Sequence, residues 1–342
     1  MYGSFEVASK IEYCLEVAQS HDGSLGYVNA ILKSLSIRGI KIAKFQMHLP
    51  EFESTLDEPF RVELIGQDTS RYDYWKRTGF TTAQWQMISE WCESMDIEFL
   101  CTPLSCEAVD QLCLLGVKRF KIGSGDARNW QLLDYTISKG KPVIVSTGLV
   151  SDDEIDDLVN RFPENFPLTL LYCVSEYPAS EEEINFAKMR MLKSKYPFLK
   201  VGYSDHTGDP LIAIAAVQHG ADFVEQHVVF SKEQYGPDTT SSVDVNQAET
   251  VQRYLDLIQR LHPRSDFSQE DLNESFLNTR TVFSRGLGLK ISLKKGEVLF
   301  QENLTMKKPL GPLRWEDKDL IIGKKARRDL DCGFHVDITD FE

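Results

Sequence analysis

Eight short runs of aliphatic and β-branched residues, spread through the first two thirds of the chain, constrain its fold more than any other feature. They are IEYCLEVA (11–18), IKIAKFQ (40–46), IEFLCTP (97–103), RFKIGSG (119–125), PVIVSTG (142–148), LTLLYCV (168–174), VGYSDHT (201–207) and FVEQHVV (223–229). Most begin about 22–33 residues apart, the repeat of a strand–helix unit. Segments of helical period lie between them. Ser151 and Glu154 make a capping box ahead of an Ile155, Leu158, Val159, Phe162 stripe. Ser180, with Glu183 three residues on, marks another helix start. Thr81 is the candidate N-cap before Trp85, Ile88, Trp91, Cys92 and Met95. Apolar strands alternating with helices predict a parallel sheet covered on its outer side. Eight such units over about 250 residues predict an α/β fold of the closed (β/α)₈, or TIM-barrel, type rather than an open sheet.

One spacing breaks the repeat: 57 residues separate Ile40 from Ile97. The excess, from Pro50 to Phe80, is polar and aromatic. An insertion after a barrel strand lies at the reactive face, so it reads as a lid or specificity loop. After Leu261 the texture changes. HPRSDFSQED marks a boundary, which gives a barrel domain over 1–265 and a linker with a short helical stretch over 266–283. A small β-rich domain then spans 284–342, with lysine–glycine turns in LKKGEVL and IIGKKARRDL. About 60 residues bury little core alone, so this domain is expected to dock on something.

Charge narrows the function. The 342 residues carry 38 Lys and Arg against 52 Asp and Glu, a net charge of −14. That balance excludes bulk electrostatic binding of nucleic acid. No apolar run reaches the roughly 20 residues of a membrane span. MYGSFEVASKIEY lacks the basic-then-apolar layout of a signal peptide. The seven cysteines, at 14, 92, 101, 106, 113, 173 and 332, form no CxxC pair. They read as reduced thiols of a cytoplasmic protein.

Chemistry is expected where barrel strands end. Lys44 and Gln46 share one strand face, as do Glu225 and His227. Lys44 and Lys121, with Ser124 in GSG, make an anion site to which Ser146, Thr147 and Ser204 add hydroxyls. His206 and His227 end adjacent strands, where two imidazoles can meet one metal ion and leave positions open for water and substrate. Glu16, Asp126 and Glu225 lie on three strands, and each could be a general base, a metal-shell group or a binder of sugar hydroxyls. Ser175, Glu176 and Tyr177 close the sixth strand.

KFQ (44–46), KIGSGD (121–126), VSTG (145–148), SEYP (175–178), GYSDHT (202–207), EQH (225–227) and GPD (236–238) together resemble the sialic acid (N-acetylneuraminate) synthases. KKGEVLFQENLTMKKP resembles the antifreeze-like (SAF, β-clip) domain that follows the barrel in those enzymes. The resemblance implies condensation of phosphoenolpyruvate with an N-acetylmannosamine-like aldose, or its 6-phosphate, and phosphate release by C–O cleavage. It implies phosphoenolpyruvate binding by Lys44, Lys121, Ser124, Ser146, Ser175 and Ser204, and catalysis by Glu16, Asp126 and Glu225. Gln46, Tyr177 and Asp238 become sugar-side groups. His206 and His227 would hold a divalent ion, manganese in this family, with magnesium or cobalt as alternatives. A domain-swapped homodimer would bring Lys308 to the partner's sugar site.

Four positions depart from the bacterial pattern. Asp126 stands where many bacterial members have glutamate, as in the animal enzymes; QSHDG (19–23) replaces INHNG; Thr239 replaces a histidine; and Lys308 stands in for an arginine. These changes touch the sugar side more than the phosphoenolpyruvate side. Two other readings share the residues: a metal-dependent barrel lyase or aldolase on another anionic substrate, and a non-catalytic sugar-binding protein of the same fold.

Overall fold

Strand β1 (Glu12–Glu16) pairs in parallel with both β2 (Ile42–Met47) and β8 (Phe223–Val229), and this double pairing closes the sheet into a barrel. The computed structural model describes residues 11–62, 66–261 and 274–342. Between β2 and β8 run β3 (Glu98–Pro103), β4 (Phe120–Ile122), β5 (Val143–Ser146), β6 (Leu168–Cys173) and β7 (Lys200–Asp205), each paired with its neighbours in order. All eight expected strands are present. A short ninth, β9 (Ser242–Asp244), pairs with β8 and has no counterpart in the sequence reading.

Helices α1 (Leu25–Ile37), α2 (Pro50–Glu53), α3 (Arg71–Thr78), α4 (Thr82–Ser94), α5 (Cys106–Leu114), α6 (Trp130–Ser138), α7 (Asp152–Arg161), α8 (Phe186–Lys195), α9 (Pro210–Gln218) and α10 (Val245–Leu261) follow the strands. Short polar side chains start most of them. The capping boxes Thr81–Gln84 and Ser151–Glu154 open α4 and α7. One expected start moves. Ser180 caps only the single 3₁₀ turn Glu181–Glu183; Ile184 is extended, and Asn185 starts α8 by accepting from the Ala187 amide. The carboxylates of Glu176 and Glu183 interact, which raises the Glu183 pKa.

Strand parity builds the barrel in layers. Leu15, Ala43, Phe45, Val143, Val145, Leu170, Val201, Tyr203 and Val224 face outward into the core shared with the helices. Cys14, Ile42, Leu100, Ile144, Leu171 and Phe223 face inward and fill the interior. Two residues further along the same inward faces come Glu16, Lys44, Ser146 and Glu225, all buried. The apolar plug therefore ends at a buried polar layer on the strands' C-terminal side.

The chain divides into two compact units, Met1–Pro263 and Arg264–Glu342. The first part of the expected linker, 266–273, lies outside the described residues, as does His262; the helical stretch is α11 (Glu274–Phe283). In the second unit β10 (Gly286–Leu289) pairs antiparallel with β11 (Leu304–Lys307). Eleven buried apolar residues, among them Leu287, Leu299, Ile321 and Phe341, form its own core. The expectation that this segment buries little by itself is therefore corrected: hydrophobic residues spaced along its loops fold back onto the two-stranded sheet.

Candidate active site

The strand register sets the reactive face. Glu16 lies level with Lys44 on β2 and with His227 on β8, and Ser204 lies level with Glu225. A cavity of about 380 Å³ opens over these residues. Glu16, Lys44, Gln46, Lys121, Ser124, Asp126, Ser146, Ser175, Tyr177, Ser204, His206, Glu225 and His227 all line it. Asp238 borders an adjoining space with Gln46, Tyr177 and His227.

Two ammonium groups and two carboxylates occupy the cavity floor. Lys44 pairs closely with Glu16, and its Nζ lies 3.6 Å from Glu225 Oε1. Lys121 Nζ is also 3.6 Å from that oxygen and donates to Ser146 Oγ at 2.7 Å. Ser204 donates to Glu225 Oε1 at 3.0 Å, and the Ala18 amide donates to Glu16 Oε1 at 2.9 Å. Burial pushes the Glu225 carboxyl upward, but Lys121, Lys44 and the Ser204 hydroxyl together outweigh it and hold the group well below the usual carboxylate range. Burial pulls the Lys44 ammonium down, partly offset by Glu225. Glu225 Oε2 is buried without a hydrogen-bond partner, so the floor keeps an unused acceptor.

The GSG segment leads into a single 3₁₀ turn, Ser124–Asp126, with Gly123 extended before it. Amides of Asp126 and Ala127 are spent inside it, on the Gly123 and Ser124 carbonyls. Ser124 Oγ accepts from the Gly148 amide at 3.2 Å and lies 3.1 Å from Cys173 Sγ. Ser175 Oγ is 3.9 Å from the same sulfur. Burial raises the Asp126 carboxyl, with Asn129 opposing, so Asp126 holds a proton more readily than Glu225 does.

The imidazoles of His206 and His227 are 5.7 Å apart, centroid to centroid. Burial pulls both down to about 3, so both are neutral and able to act as ligands. His206 Nδ1 lies 2.6 Å from the Val174 carbonyl, which fixes Nδ1 as the protonated nitrogen and leaves Nε2 free. His227 Nδ1 is buried without a hydrogen-bond partner, 3.9 Å from Asp238 Oδ2. Among the described residues no cluster of three His, Cys, Asp or Glu side chains forms a ready-made metal cage. Two neutral imidazoles fit a divalent ion whose remaining positions go to water and substrate.

The insertion after β2 supplies residues that sequence reasoning did not single out. Arg61 donates to Asp238 Oδ1 at 2.5 Å, and its guanidinium stands 4.5 Å over the Tyr177 ring. Arg71 pairs with Glu58 at 3.1 Å. Trp75 stacks on His48 at 3.7 Å. A polar, aromatic insertion signals such contacts in general, but no periodicity selects 61, 71 and 75 from its other residues. Lys308 lies in the second unit, exposed, its ammonium 5.1 Å from the Phe283 ring.

A model of the NeuB family matches residues 31–262. The N,N'-diacetyllegionaminic acid synthase of Campylobacter jejuni serotype O:2 is 29% identical over 92% of this chain and 95% of its own. The human N-acetylneuraminate-9-phosphate synthase is 28% identical over 91% of this chain and 87% of its own. Among solved structures, the N-acetylneuraminic acid synthetase of Leptospira borgpetersenii in complex with citrate superposes with a TM-score of 0.67 at 25% identity, covering 79% of this chain and 91% of that one.

Proposed function

The chain belongs to the NeuB family, and from that premise we propose that it is a nonulosonic acid synthase joining phosphoenolpyruvate to an N-acetylmannosamine-like aldose or its 6-phosphate. The observation that carries the reading is the floor of the cavity. Two buried lysines, two buried carboxylates and two neutral imidazoles converge there from five strands.

Lys44 and Lys121, with Ser146 and Ser204, receive the carboxylate and phosphate of phosphoenolpyruvate; Ser124 and Ser175 add hydroxyls beside them. Gln46, Tyr177 and Asp238 face the aldose. The enol carbon attacks the aldehyde carbon, forming the C–C bond, and the aldehyde oxygen takes a proton. Water adds to the phosphate-bearing carbon of the former enol ester and loses a proton, and phosphate departs with its bridging oxygen as that C–O bond breaks. Asp126, raised by burial, is suited to give a proton, and Glu225, held ionised, to stabilise the positive charge that develops on the phosphate-bearing carbon. Glu16 fixes Lys44. His206 and His227 would hold a divalent ion, manganese with magnesium or cobalt as alternatives, which when bound supplies Lewis-acid polarisation of the aldehyde oxygen. Most of the gain is positioning of two anionic, water-sensitive partners.

The second unit, in this reading, is an antifreeze-like domain. It covers the partner's barrel mouth in a domain-swapped homodimer and offers Lys308 to the sugar, and the protein works in the cytoplasm. The test is phosphate release by chelator-stripped protein given phosphoenolpyruvate, manganese and a panel of 2-acetamido and 2,4-diacetamido hexoses, with and without a 6-phosphate. Release that needs both sugar and metal is expected. Release from phosphoenolpyruvate alone, or no binding of phosphoenolpyruvate, overturns the reading.

A further inference from the structure

Glu53, His48 and Gln46 form a hydrogen-bonded series that ends on Glu16, and the proposed reaction leaves the first two without a task. His48 Nδ1 lies 2.5 Å from Glu53 Oε1. Its Nε2 lies 3.3 Å from Gln46 Oε1. Gln46 Nε2 then donates to Glu16 Oε2 at 3.5 Å. The far oxygen of Glu53 accepts from the Leu49 amide at 3.2 Å, so the carboxylate is held at both ends. Both side chains are 8% exposed. Trp75 stacks flat on the imidazole, 3.7 Å away with the planes 6° apart, so the ring cannot turn without breaking that contact.

Donor and acceptor accounting gives the series a direction. Glu16 already faces the Lys44 ammonium and the Ala18 amide, so its carboxylate accepts and Gln46 must present its NH₂ to it. The Gln46 oxygen then faces His48, and Nε2 must donate. Nδ1 faces a carboxylate at the same time. The Glu53–His48 pair therefore serves both bonds only when it holds two protons between them. With one proton fewer, an imidazole lone pair would face the Gln46 oxygen. The amide would then turn, presenting its oxygen to Glu16.

We propose that His48, set by Glu53 and Trp75, is a positioning residue that fixes the Gln46 amide and through it the orientation of Glu16 against Lys44. This rests on the reading of Glu16 as part of a synthase site. It assigns the insertion after β2 a part in arranging the chemistry as well as in bordering the sugar.

The test measures steady-state constants for the full-length chain with phosphoenolpyruvate and the productive sugar. His48→Phe keeps the stack on Trp75 but removes the donor. It and His48→Ala are each expected to lower kcat about ten- to a hundredfold, with KM for phosphoenolpyruvate nearly unchanged. Glu53→Gln, whose amide can take the carboxylate's place at Nδ1, is expected to lose less than Glu53→Ala. A His48→Phe variant with wild-type kcat overturns the proposal. Nitrogen-15 spectra of the imidazole side chains give a second readout that needs no turnover. A proton on His48 Nε2 in the wild type, lost or shifted in Glu53→Ala, is expected; an unprotonated Nε2 overturns the proposal. If no sugar supports turnover while that proton is present, the synthase reading fails and the arrangement stands.

Discussion

Lys121 reaches Glu225 across the mouth of the barrel, Nζ to Oε1 3.6 Å, from a strand four places away in an eight-membered ring. Both side chains are almost fully buried, so neither charge has water to fall back on. Removing Lys121 leaves Glu225 facing only Lys44, which Glu16 already holds, and removing Glu225 leaves Lys121 without a carboxylate partner. Lys121→Met is expected to lower unfolding free energy by about 3 kcal/mol and to abolish phosphate release. The double variant Lys121→Met/Glu225→Gln should lose less stability than the two single changes added together. Urea unfolding of the four proteins checks this, and simple additivity would show that the two charges do not support each other.

His206 and His227 carry the next expectation. Both are buried, His206 just past the end of β7 and His227 within β8, and His227 Nδ1 has no hydrogen-bond partner in the fold. Replacing either by Ala removes one imidazole without stripping a hydrogen-bond partner from a neighbouring side chain. Manganese binding, followed by the paramagnetic resonance of the free ion, should weaken at least tenfold in each variant, with the far-ultraviolet dichroism unchanged. Full activity in metal-stripped buffer would sink the metal role.

Period-two alternation made the barrel and its inward residues legible in the sequence. Lys44 with Gln46 and Glu225 with His227 share faces because strand geometry leaves no other choice, and the structure places all four on one cavity. What stayed hidden depends on contacts that no period encodes. Arg61 meets Asp238 across 177 positions of sequence, through an insertion without regular repeat. Ser180 carries a valid start signal, yet it opens only the turn Glu181–Glu183, and the helix itself starts from Asn185. The small domain's core also escaped notice, since its apolar residues sit singly in loops between short strands.

Acid should also weaken the opposite end of the barrel. Glu12 receives Arg119 at 2.5 Å and Lys200 at 3.1 Å, and Arg119 also donates to Glu98 at 2.7 Å. Burial raises the Glu12 carboxyl, but these bonds outweigh it and set it below its ordinary 4.5. A folded-state value below the unfolded one stabilises the fold above the unfolded value. That stability is lost as pH falls through the folded value. The melting temperature should therefore drop as pH goes from 5 toward 3, and Glu12→Gln should flatten that part of the curve while costing about 1.5 kcal/mol at neutral pH. An unchanged slope in Glu12→Gln would assign the acid limb to other carboxylates.

Gly202 tests the interior packing. It lies on the inward face of β7, two residues before Ser204, where the layer below the active site narrows. A Cβ there would stand 2.1 Å from the Phe223 carbonyl oxygen and 2.9 Å from Leu171 Cδ2. The first is backbone of the neighbouring strand β8 and cannot swing aside as a side-chain tip could. Gly202→Ala must push β7 and β8 apart at the level where Phe223 plugs the barrel. A cost of about 3 kcal/mol is expected, the upper part of the usual range for overpacking. Because Ser204 and Glu225 pair one step above, phosphoenolpyruvate affinity should fall with it. Calorimetric unfolding and a phosphoenolpyruvate titration of the same variant measure both. Unchanged stability would mean that the strands separate freely there, contrary to the tight interior that sets the geometry of the cavity floor.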